Sequence, residues 1–178
     1  AIDGVIGTAE WAGAARMEGL VRGGGPLAGG QVGFWLGCDG ERLVFAMRSE
    51  TPPGGQILRR ANPLPGEANA SAAFRDDSFE LVLDPVRHDP ARRRIYHVIV
   101  NAKGAMSTTA FKLDGGGEGW RGGWQTASRV EQDFWSFEAS VLLADLRVTP
   151  ADLAHPMGIR ICRNWQRTAE GWSQSEWS

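Results

Sequence analysis

Residues 76–85 read DDSFELVLDP, and this stretch alternates between apolar and polar residues as a half-buried β-strand does. Phe79, Leu81 and Leu83 fall on one face of the predicted strand, and Glu80 falls in the middle of the other. Aspartates precede the strand and a proline ends it, which is typical of strand boundaries. The stretch therefore predicts one face in a core and a second face where Glu80 meets either solvent or a ligand.

The same alternation recurs along most of the chain. Strands are predicted at 31–37, 41–47, 78–83, 95–101, 104–112, 135–143 and 158–163. An Asp-Gly pair at 39–40 predicts a hairpin turn, and short helical turns are predicted at 144–146 and 149–153. Many short strands with almost no helical period indicate an all-β protein, an antiparallel β-sandwich of the immunoglobulin or jelly-roll type. We expect residues 1–178 to form a single domain.

Composition argues against several classes of partner. Of 178 residues, 42% are apolar and 22% are charged, which is typical of a globular domain. The net charge of −2, without a basic stripe, argues against nucleic acid as a partner. No apolar run approaches the ~20 residues of a spanning helix, so no membrane insertion is expected. Cys38 and Cys162 fit neither a disulfide framework nor a zinc site, and a single bridge between them stays open.

Motifs for catalysis are sparse. No phosphate loop or G-x-S-x-G elbow is present, and the three histidines lack metal-ligand spacing. Glu80 and Asp84 share a strand face, and their separation would just permit the carboxylate pair of a glycosidase. Acidic residues at strand starts more often bind turn amides or calcium than perform chemistry. We therefore expect a protein that is not an enzyme.

Several motifs follow one another in a distinctive order. They are IDGVI at 2–6, EW at 10–11, DDSFELVLD at 76–84, VIVNAKG at 98–104, WSFEASVLLADL at 135–146 and GIRICR at 158–163. The ordered set resembles the family 9 carbohydrate-binding modules, whose β-sandwich is shared with haem-binding domains of the DOMON type. The resemblance covers nearly the whole chain. It implies that a sugar binds on the concave face of one sheet, between two aromatic rings.

The resemblance also implies roles for individual residues. Glu80 and Asn101 match the family's polar contacts, and Phe74 stands where one of the two aromatic rings would be. Trp177, or less closely Trp172, matches the other ring. Strand alternation adds polar candidates from the late strand. The candidate ligand-binding residues are Phe74, Glu80, Asn101, Arg160, Cys162, Asn164, Trp172 and Trp177.

Two of these residues have ordinary structural alternatives. Glu80 would also suit a salt bridge to a neighbouring arginine, and Asn101 would also suit capping of the turn that follows it. We expect Asp76 and Asp77 to fasten the loop that enters the strand, with calcium as the candidate cation. Both interpretations stay open at the level of sequence.

The chain departs from the family pattern at three polar positions. Ile99 stands where the family has a basic residue, and Cys162 stands where it has a glutamine. Thr51, with Glu50 beside it, replaces an aspartate that would help to hold calcium. The C-terminal end is also shorter than the family pattern by about one strand. We therefore expect a piece of a longer protein that lacks a final strand.

These observations favour a non-catalytic module that binds an oligosaccharide or polysaccharide. We expect it to be joined to a glycan-active enzyme or a cell-envelope protein, and to be extracellular, periplasmic or in the cell envelope. Its partners would be a carbohydrate and the other domains of its own polypeptide. One alternative is an interaction sandwich with a degenerate sugar site. Another is a haem domain, for which Met47, Met106 and His97 are the available axial ligands.

Overall fold

The computed structural model describes residues 1–21, 32–51, 56–62, 73–112, 117–168 and 171–177. Side chains are described for these residues except 117–119, 167, 168, 171–173 and 177. The strands found there are β1 (Ala15–Met17), β2 (Val32–Cys38), β3 (Arg42–Glu50), β4 (Ser78–Asp84), β5 (Arg94–Asn101), β6 (Met106–Lys112), β7 (Gly117–Gly119), β8 (Gln125–Val130), β9 (Phe134–Leu142), β10 (Gly158–Thr168) and β11 (Gly171–Trp177). Two 3-10 turns, Ala144–Leu146 and Asp152–Ala154, lie between β9 and β10.

The strands form two sheets. Sheet A has the order β1-β2-β3-β9-β8, and sheet B has the order β11-β10-β4-β5-β6-β7. All pairings between neighbouring strands are antiparallel. The prediction of an antiparallel β-sandwich is thereby confirmed. No helix in the described ranges is long and apolar enough to cross a membrane.

The core lies between the two sheets. Phe79, Leu81 and Leu83 of β4 are all buried, as their alternation predicts. The Phe79 ring stacks on Trp135 of β9, with centroids 4.3 Å apart and planes at 27°, so this pair joins one sheet to the other. Because Phe79, Leu81 and Leu83 occupy the inner face of β4, Glu80 between them must lie on the outer face of sheet B.

Register decides which residues share that outer face. Glu80 pairs with Ile99 on β5 and with Cys162 on β10. One step along the same face, Ser78 pairs with Asn101 and Asn164. On the edge strand β11, Gln174 pairs with Asn164 and Glu176 pairs with Cys162. The antiparallel order thus brings residues that are far apart in sequence into one polar row.

The outer face of sheet A is covered by the N-terminal segment. Glu138 of β9 is fully buried there, and its carboxylate accepts hydrogen bonds from the backbone amides of Asp3 and Gly4 and from Trp11 Nε1. Ser136 donates to the carbonyl of Gly4. These contacts satisfy the buried carboxylate and explain why the IDG and EW motifs accompany the WSFE motif.

The turns and cysteines follow the expectations in part. The hairpin at 39–40 is present, and Gly40 has φ 100°, where glycine is favoured. Cys38 is exposed and Cys162 is buried in the other sheet, and both are free thiols, so the open question of a bridge is answered in the negative. The long irregular run at 51–73 lies largely outside the described residues.

Candidate functional site

Four strands bring a polar cluster together around Glu80. The Oε2 atom of Glu80 lies 3.0 Å from His97 Nε2 on β5, and its Oε1 atom accepts a hydrogen bond from Asn164 Nδ2 on β10 at 2.6 Å. Gln174 on β11 donates to Asn164 Oδ1 at 2.9 Å and also reaches Glu80 Oε1 at 3.4 Å. We call Glu80, His97, Asn164 and Gln174 the Glu80 cluster.

The environment of Glu80 keeps its carboxylate charged. The hydrogen bond with His97 lowers the pKa of Glu80 below its ordinary value, and the Asn164 amide acts in the same direction against the opposing effect of burial. The Glu80 side chain retains 12% of its exposure and the His97 side chain 29%. The cluster is therefore an ionised acceptor that is fixed by its neighbours and still reaches solvent.

The cluster keeps hydrogen-bonding capacity for a ligand. Within the described part of the chain, neither Gln174 Oε1 nor His97 Nδ1 makes a hydrogen bond. Adjacent sugar hydroxyls both donate and accept, so a fixed carboxylate, an amide and an imidazole suit them. Carbohydrate is thus a ligand class that the geometry of the cluster can serve.

Arg160 and Cys162 flank the cluster in different ways. Arg160, a candidate ligand-binding residue, is exposed and pairs with Glu176 on β11. Cys162 is fully buried beside Glu80, and burial raises the pKa of its thiol to about 11. Ile99, on the other side of Glu80, is also buried. At the two positions directly beside Glu80, strands β5 and β10 therefore contribute buried side chains that pack against their surroundings.

Asn101 lies at the end of the outer face and is fully buried. Its Nδ2 atom donates to Asp76 Oδ2 at 2.8 Å and to the carbonyl of Ala61, and its Oδ1 atom accepts from the amides of Lys103 and Ala105. All four hydrogen-bonding positions of the amide are used by the protein itself. This geometry fits the capping alternative, with Asn101 joining the turn after β5 to a loop.

Asp76 and Asp77 fasten the same loop. Asp76 accepts from the Ala61 amide at 2.8 Å and from Asn101, and these hydrogen bonds keep the pKa of Asp76 low against the burial that would raise it. Asp77 accepts from the amides of Leu58 and Gln166, each at 2.6 Å. The two carboxylates thus tie residues 58–61 and the end of β10 to the start of β4.

These contacts bear on the calcium prediction. Oxygen atoms of both carboxylates already accept hydrogen bonds from N–H groups. The lone pairs used in these hydrogen bonds are the ones that would otherwise coordinate calcium. Within the described residues, no group of three or more His, Cys, Asp or Glu side chains could hold a metal ion. The described donor set does not fit a calcium site, and the calcium role of Asp76 and Asp77 stays a prediction.

The aromatic candidates divide by exposure. Phe74 is 50% exposed, and Gln166 fixes its backbone by donating to its carbonyl at 3.0 Å. Trp165 is buried, with the Arg163 guanidinium 4.9 Å from its ring, so it offers no open face. The side chains of Trp172 and Trp177 lie outside the described residues. Phe74 is therefore the one described candidate whose ring is open to a ligand.

Three outer-face residues were not among the candidate sugar-binding residues. His97 and Gln174 belong to the Glu80 cluster, and Phe111, at the far end of β6, is 40% exposed. Alternation along β5 places His97 on the same face as Ile99 and could have identified it. Gln174 could have been identified only by predicting β11. The C-terminal sequence, which is rich in glycine, serine and tryptophan, does not indicate a strand there.

A glycosidase would need two carboxyl groups in complementary states. Asp84 is held by Arg93, whose Nε lies 2.9 Å from its Oδ2 atom. Glu80, with its lowered pKa, is a poor proton donor. Four residues along a strand separate the Cα atoms of Glu80 and Asp84 by about 13 Å, which exceeds the usual carboxylate pair and does not support the interpretation that their separation would permit one. The described geometry does not assemble the acid and base of that reaction.

The haem alternative would need two opposed axial ligands. Met47 is buried in the core on sheet A, and Met106 packs against the same core. His97 lies on the outer face of sheet B, where it bonds to Glu80. His97 therefore faces away from both methionines, and these residues do not form a Met/His axial pair.

A second cleft lies over sheet A. A cavity of about 490 Å³ separates the N-terminal segment from β3 and β9, and Trp11 and Arg42 line it. Trp11 is buried and bonds to Glu138, while Arg42 bonds to Ser140 at 2.9 Å and to a loop carbonyl. Because no open aromatic face and no free polar cluster are present among these residues, the outer face of sheet B is the stronger candidate.

Comparison with solved structures shows which proteins share this fold. A carbohydrate-binding module of family 9 from Caldicellulosiruptor kristjanssonii, in complex with cellotriose, matches 99% of this chain and 78% of its own, with a TM-score of 0.63 and 18% identity. A family 9 module from that organism in complex with glucose gives a TM-score of 0.63 and 16% identity, over 99% of this chain and 80% of its own.

A third solved structure is also similar in fold. A Bacteroides uniformis protein, provisionally described as carbohydrate-binding, matches 94% of this chain and 78% of its own, with a TM-score of 0.66 and 12% identity. No protein-family model and no curated protein sequence matches the chain. The chain therefore has the fold of family 9 carbohydrate-binding modules, and the resemblance of the ordered motifs is confirmed at that level.

Proposed function

We propose that this chain is a non-catalytic carbohydrate-binding module that takes its ligand on the outer face of sheet B. The Glu80 cluster carries the proposal, because it holds the Glu80 carboxylate, the Gln174 amide and the His97 imidazole in fixed positions that still reach solvent. The exposed ring of Phe74 supplies an apolar surface close to the same end of β4. The likeness to modules described in complex with cellotriose and glucose supports a glucose-type ligand.

The chemistry of a sugar suits both parts of this face. Carboxylate and amide groups bond to neighbouring hydroxyls, and the C–H face of a sugar ring packs on an aromatic ring. Because Glu80 is already held by its neighbours, little entropy is lost when a ligand binds it. Asn101 does not contact the ligand in this proposal, since the protein uses all of its hydrogen-bonding positions.

Calorimetric titration with glucose and cello-oligosaccharides tests the proposal. We expect saturable binding by the native protein and at least about tenfold weaker binding by Glu80→Gln, because hydrogen bonds to a charged group contribute roughly 1.5–3 kcal/mol. Glu131→Gln is a matched control, since Glu131 lies beside β8 of sheet A and pairs with Arg129. Equal binding by the two variants would refute the role of Glu80.

A degenerate sugar site is the second candidate. Ile99 and Cys162, which flank Glu80 on both sides, are buried and offer little to a hydroxyl group. In that case the face would hold a neighbouring domain in place instead of a glycan. A folded native protein that binds none of a broad panel of neutral saccharides would favour this candidate over the first.

The proposal extends to the context of the module. Carbohydrate-binding sandwiches work beside catalytic or envelope domains, so we place this chain in a larger polypeptide that acts on glycans outside the cytoplasm. Its partners there would be the glycan and the adjacent domains. Locating the full-length protein by fractionation of its source cells would test this placement, and recovery in the cytoplasmic fraction would contradict it.

A further inference from the structure

A basic cavity lies at the end of sheet B away from Asn101. It has a volume of about 480 Å³, and its cationic lining residues are Arg92, Arg93, Arg94, Lys112 and Arg147. Arg94 starts β5 and pairs with Lys112, which ends β6. Arg94 precedes Ile99, the strand partner of Glu80, by five residues, so about 16 Å of strand separates the cavity from the Glu80 cluster.

Two of these guanidinium groups are held in place by carboxylates. Arg92 donates to both oxygens of Asp152, at 2.7 and 3.1 Å, and to Asp89 at 2.6 Å. Arg93 donates to Asp84 at 2.9 Å. The charges of Arg92 and Arg93 are therefore balanced, and their planar groups form a fixed wall of the cavity.

Lys112 and Arg147 differ from that pair. Neither makes an ion pair or a side-chain hydrogen bond with the residues that the structure describes, although both line the cavity. Arg94 has a contact of its own and is not counted with them. Two positive charges that have no carboxylate partner among the described residues thus line a space of the size that small-molecule sites usually have.

The backbone of Arg147 is unusual. Its φ of 55° and ψ of 31° lie in the left-handed region, and among the described residues it is the only one besides glycines with a positive φ. The turn is held by the Arg147 amide, which donates to Ala144 at 3.0 Å, and by the Tyr96 hydroxyl, which donates to the carbonyl of Leu146 at 2.8 Å. A glycine would fit this conformation without strain, yet an arginine occupies it and lines the cavity.

We propose that this cavity binds a small molecule through an oxyanion group, a carboxylate, sulfate or phosphate, held by Lys112 and Arg147. Ammonium and guanidinium groups form short, charge-assisted hydrogen bonds with such oxygens. Arg92 and Arg93, whose charges are balanced by Asp152, Asp89 and Asp84, shape the wall of the cavity without needing to rearrange. The oxyanion is either part of an acidic sugar or a free inorganic ion, and the site is separate from the proposed sugar site on the outer face.

Titration at low ionic strength, followed by amide chemical shifts, tests the proposal. The probes are sodium phosphate, sodium sulfate, sodium glucuronate and, as the uncharged match of glucuronate, glucose. We expect saturable shifts around Arg94, Lys112 and Arg147 with at least one anion and none there with glucose. Added sodium chloride should weaken the binding, since the lining is open to solvent. Glucuronate binding alone would identify an acidic sugar, and binding of all three anions would identify the oxyanion as the recognised group.

Two variants separate binding from folding. Lys112→Ala and Arg147→Gly should each bind the anions at least about tenfold more weakly. Arg147→Gly also relieves the strained φ, so its melting temperature should stay equal or rise, which excludes unfolding as the cause. Arg129→Ala is the control. Arg129 lies on β8 of sheet A, far in the topology from the cavity at sheet B, so this variant should bind the anions as the native protein does. Glu80→Gln should also keep anion binding, whatever it does to sugar binding.

Three outcomes would overturn the proposal. They are the absence of saturable shifts with phosphate, sulfate and glucuronate, equal shifts with glucose and glucuronate around these residues, and anion binding that both Lys112→Ala and Arg147→Gly retain.

Discussion

Glu80 shows how one residue acquires its properties from four strands. Its alternation within β4 places it outside the core, but only the register with β5, β10 and β11 gives it His97, Asn164 and Gln174 as neighbours. His97 and Asn164 lower the pKa of Glu80 and fix both of its oxygens. The Glu80 carboxylate is therefore held ionised and in a fixed position by its neighbours, unlike an ordinary surface carboxylate.

The acid stability of the protein should depend on Glu80. Since its pKa in the folded state lies below the ordinary 4.5, its stabilising contribution is present above about pH 4.5 and is lost as the pH falls through the folded pKa. Between about pH 5 and 3, the free energy of unfolding should fall less steeply in Glu80→Gln than in the native protein. Urea denaturation at several pH values measures this. Parallel curves for Glu80→Gln and the native protein would contradict the account.

The two thiols should react very differently. At pH 8, a pKa of about 11 leaves roughly one Cys162 side chain in a thousand as thiolate, and burial also blocks access to it. Cys38 is exposed at the end of β2. A chromogenic thiol reagent should therefore titrate one thiol in the folded protein and two in denaturant, and Cys38→Ser should remove the first. Rapid reaction of two thiols in the folded protein would show that Cys162 is accessible.

At the scale of elements, Asn101 joins the end of β5 to the loop at 58–61. Asn101→Ala removes four hydrogen bonds from a buried site and leaves Asp76 with fewer donors, so we expect a loss of roughly 2–4 kcal/mol in the free energy of unfolding. Asn62→Ala is the control, because the hydrogen bond that Asn62 accepts from Lys103 is exposed. Chemical denaturation measures both variants, and similar stabilities would show that Asn101 does not anchor the loop.

The central strands were predictable from sequence, and the edges were not. Alternation predicts β4 and β9 to within a residue or two, because one face of each is fully apolar. β10 runs five residues beyond its predicted end at Arg163, and β1, β7, β8 and β11 were missed. Short or polar edge strands are stabilised mainly by pairing with a neighbour, which leaves little trace in their own composition.

The candidate site was predictable only in part, for the same reason. Glu80 and Asn164 could be placed on one face from alternation alone. Gln174 could not, because its edge strand was not predicted. Asn101 illustrates the opposite limit, since its face follows from alternation but its four partners come from three different loops.

At the scale of the whole molecule, the two sheets are joined by the Phe79–Trp135 stack. Trp135 is fully buried, and truncation to alanine would leave a cavity between the sheets. We expect Trp135→Ala to lose about 3–5 kcal/mol in the free energy of unfolding. Trp35→Ala should lose far less, because Trp35 is partly exposed on β2, where its ring lies over Gly33 with Arg16 against it. Urea denaturation compares them, and equal losses would contradict this picture of the core.

The central claim is that sugar binds on the outer face of sheet B. The most direct test is to map amide chemical shifts of the native protein during titration with cellotriose. The account predicts saturable shifts at Glu80, His97 and Asn164, with no comparable change around Trp11 and Arg42 on the other side of the molecule. Shifts confined to that cleft over sheet A, or no shifts anywhere in the folded protein, would contradict it.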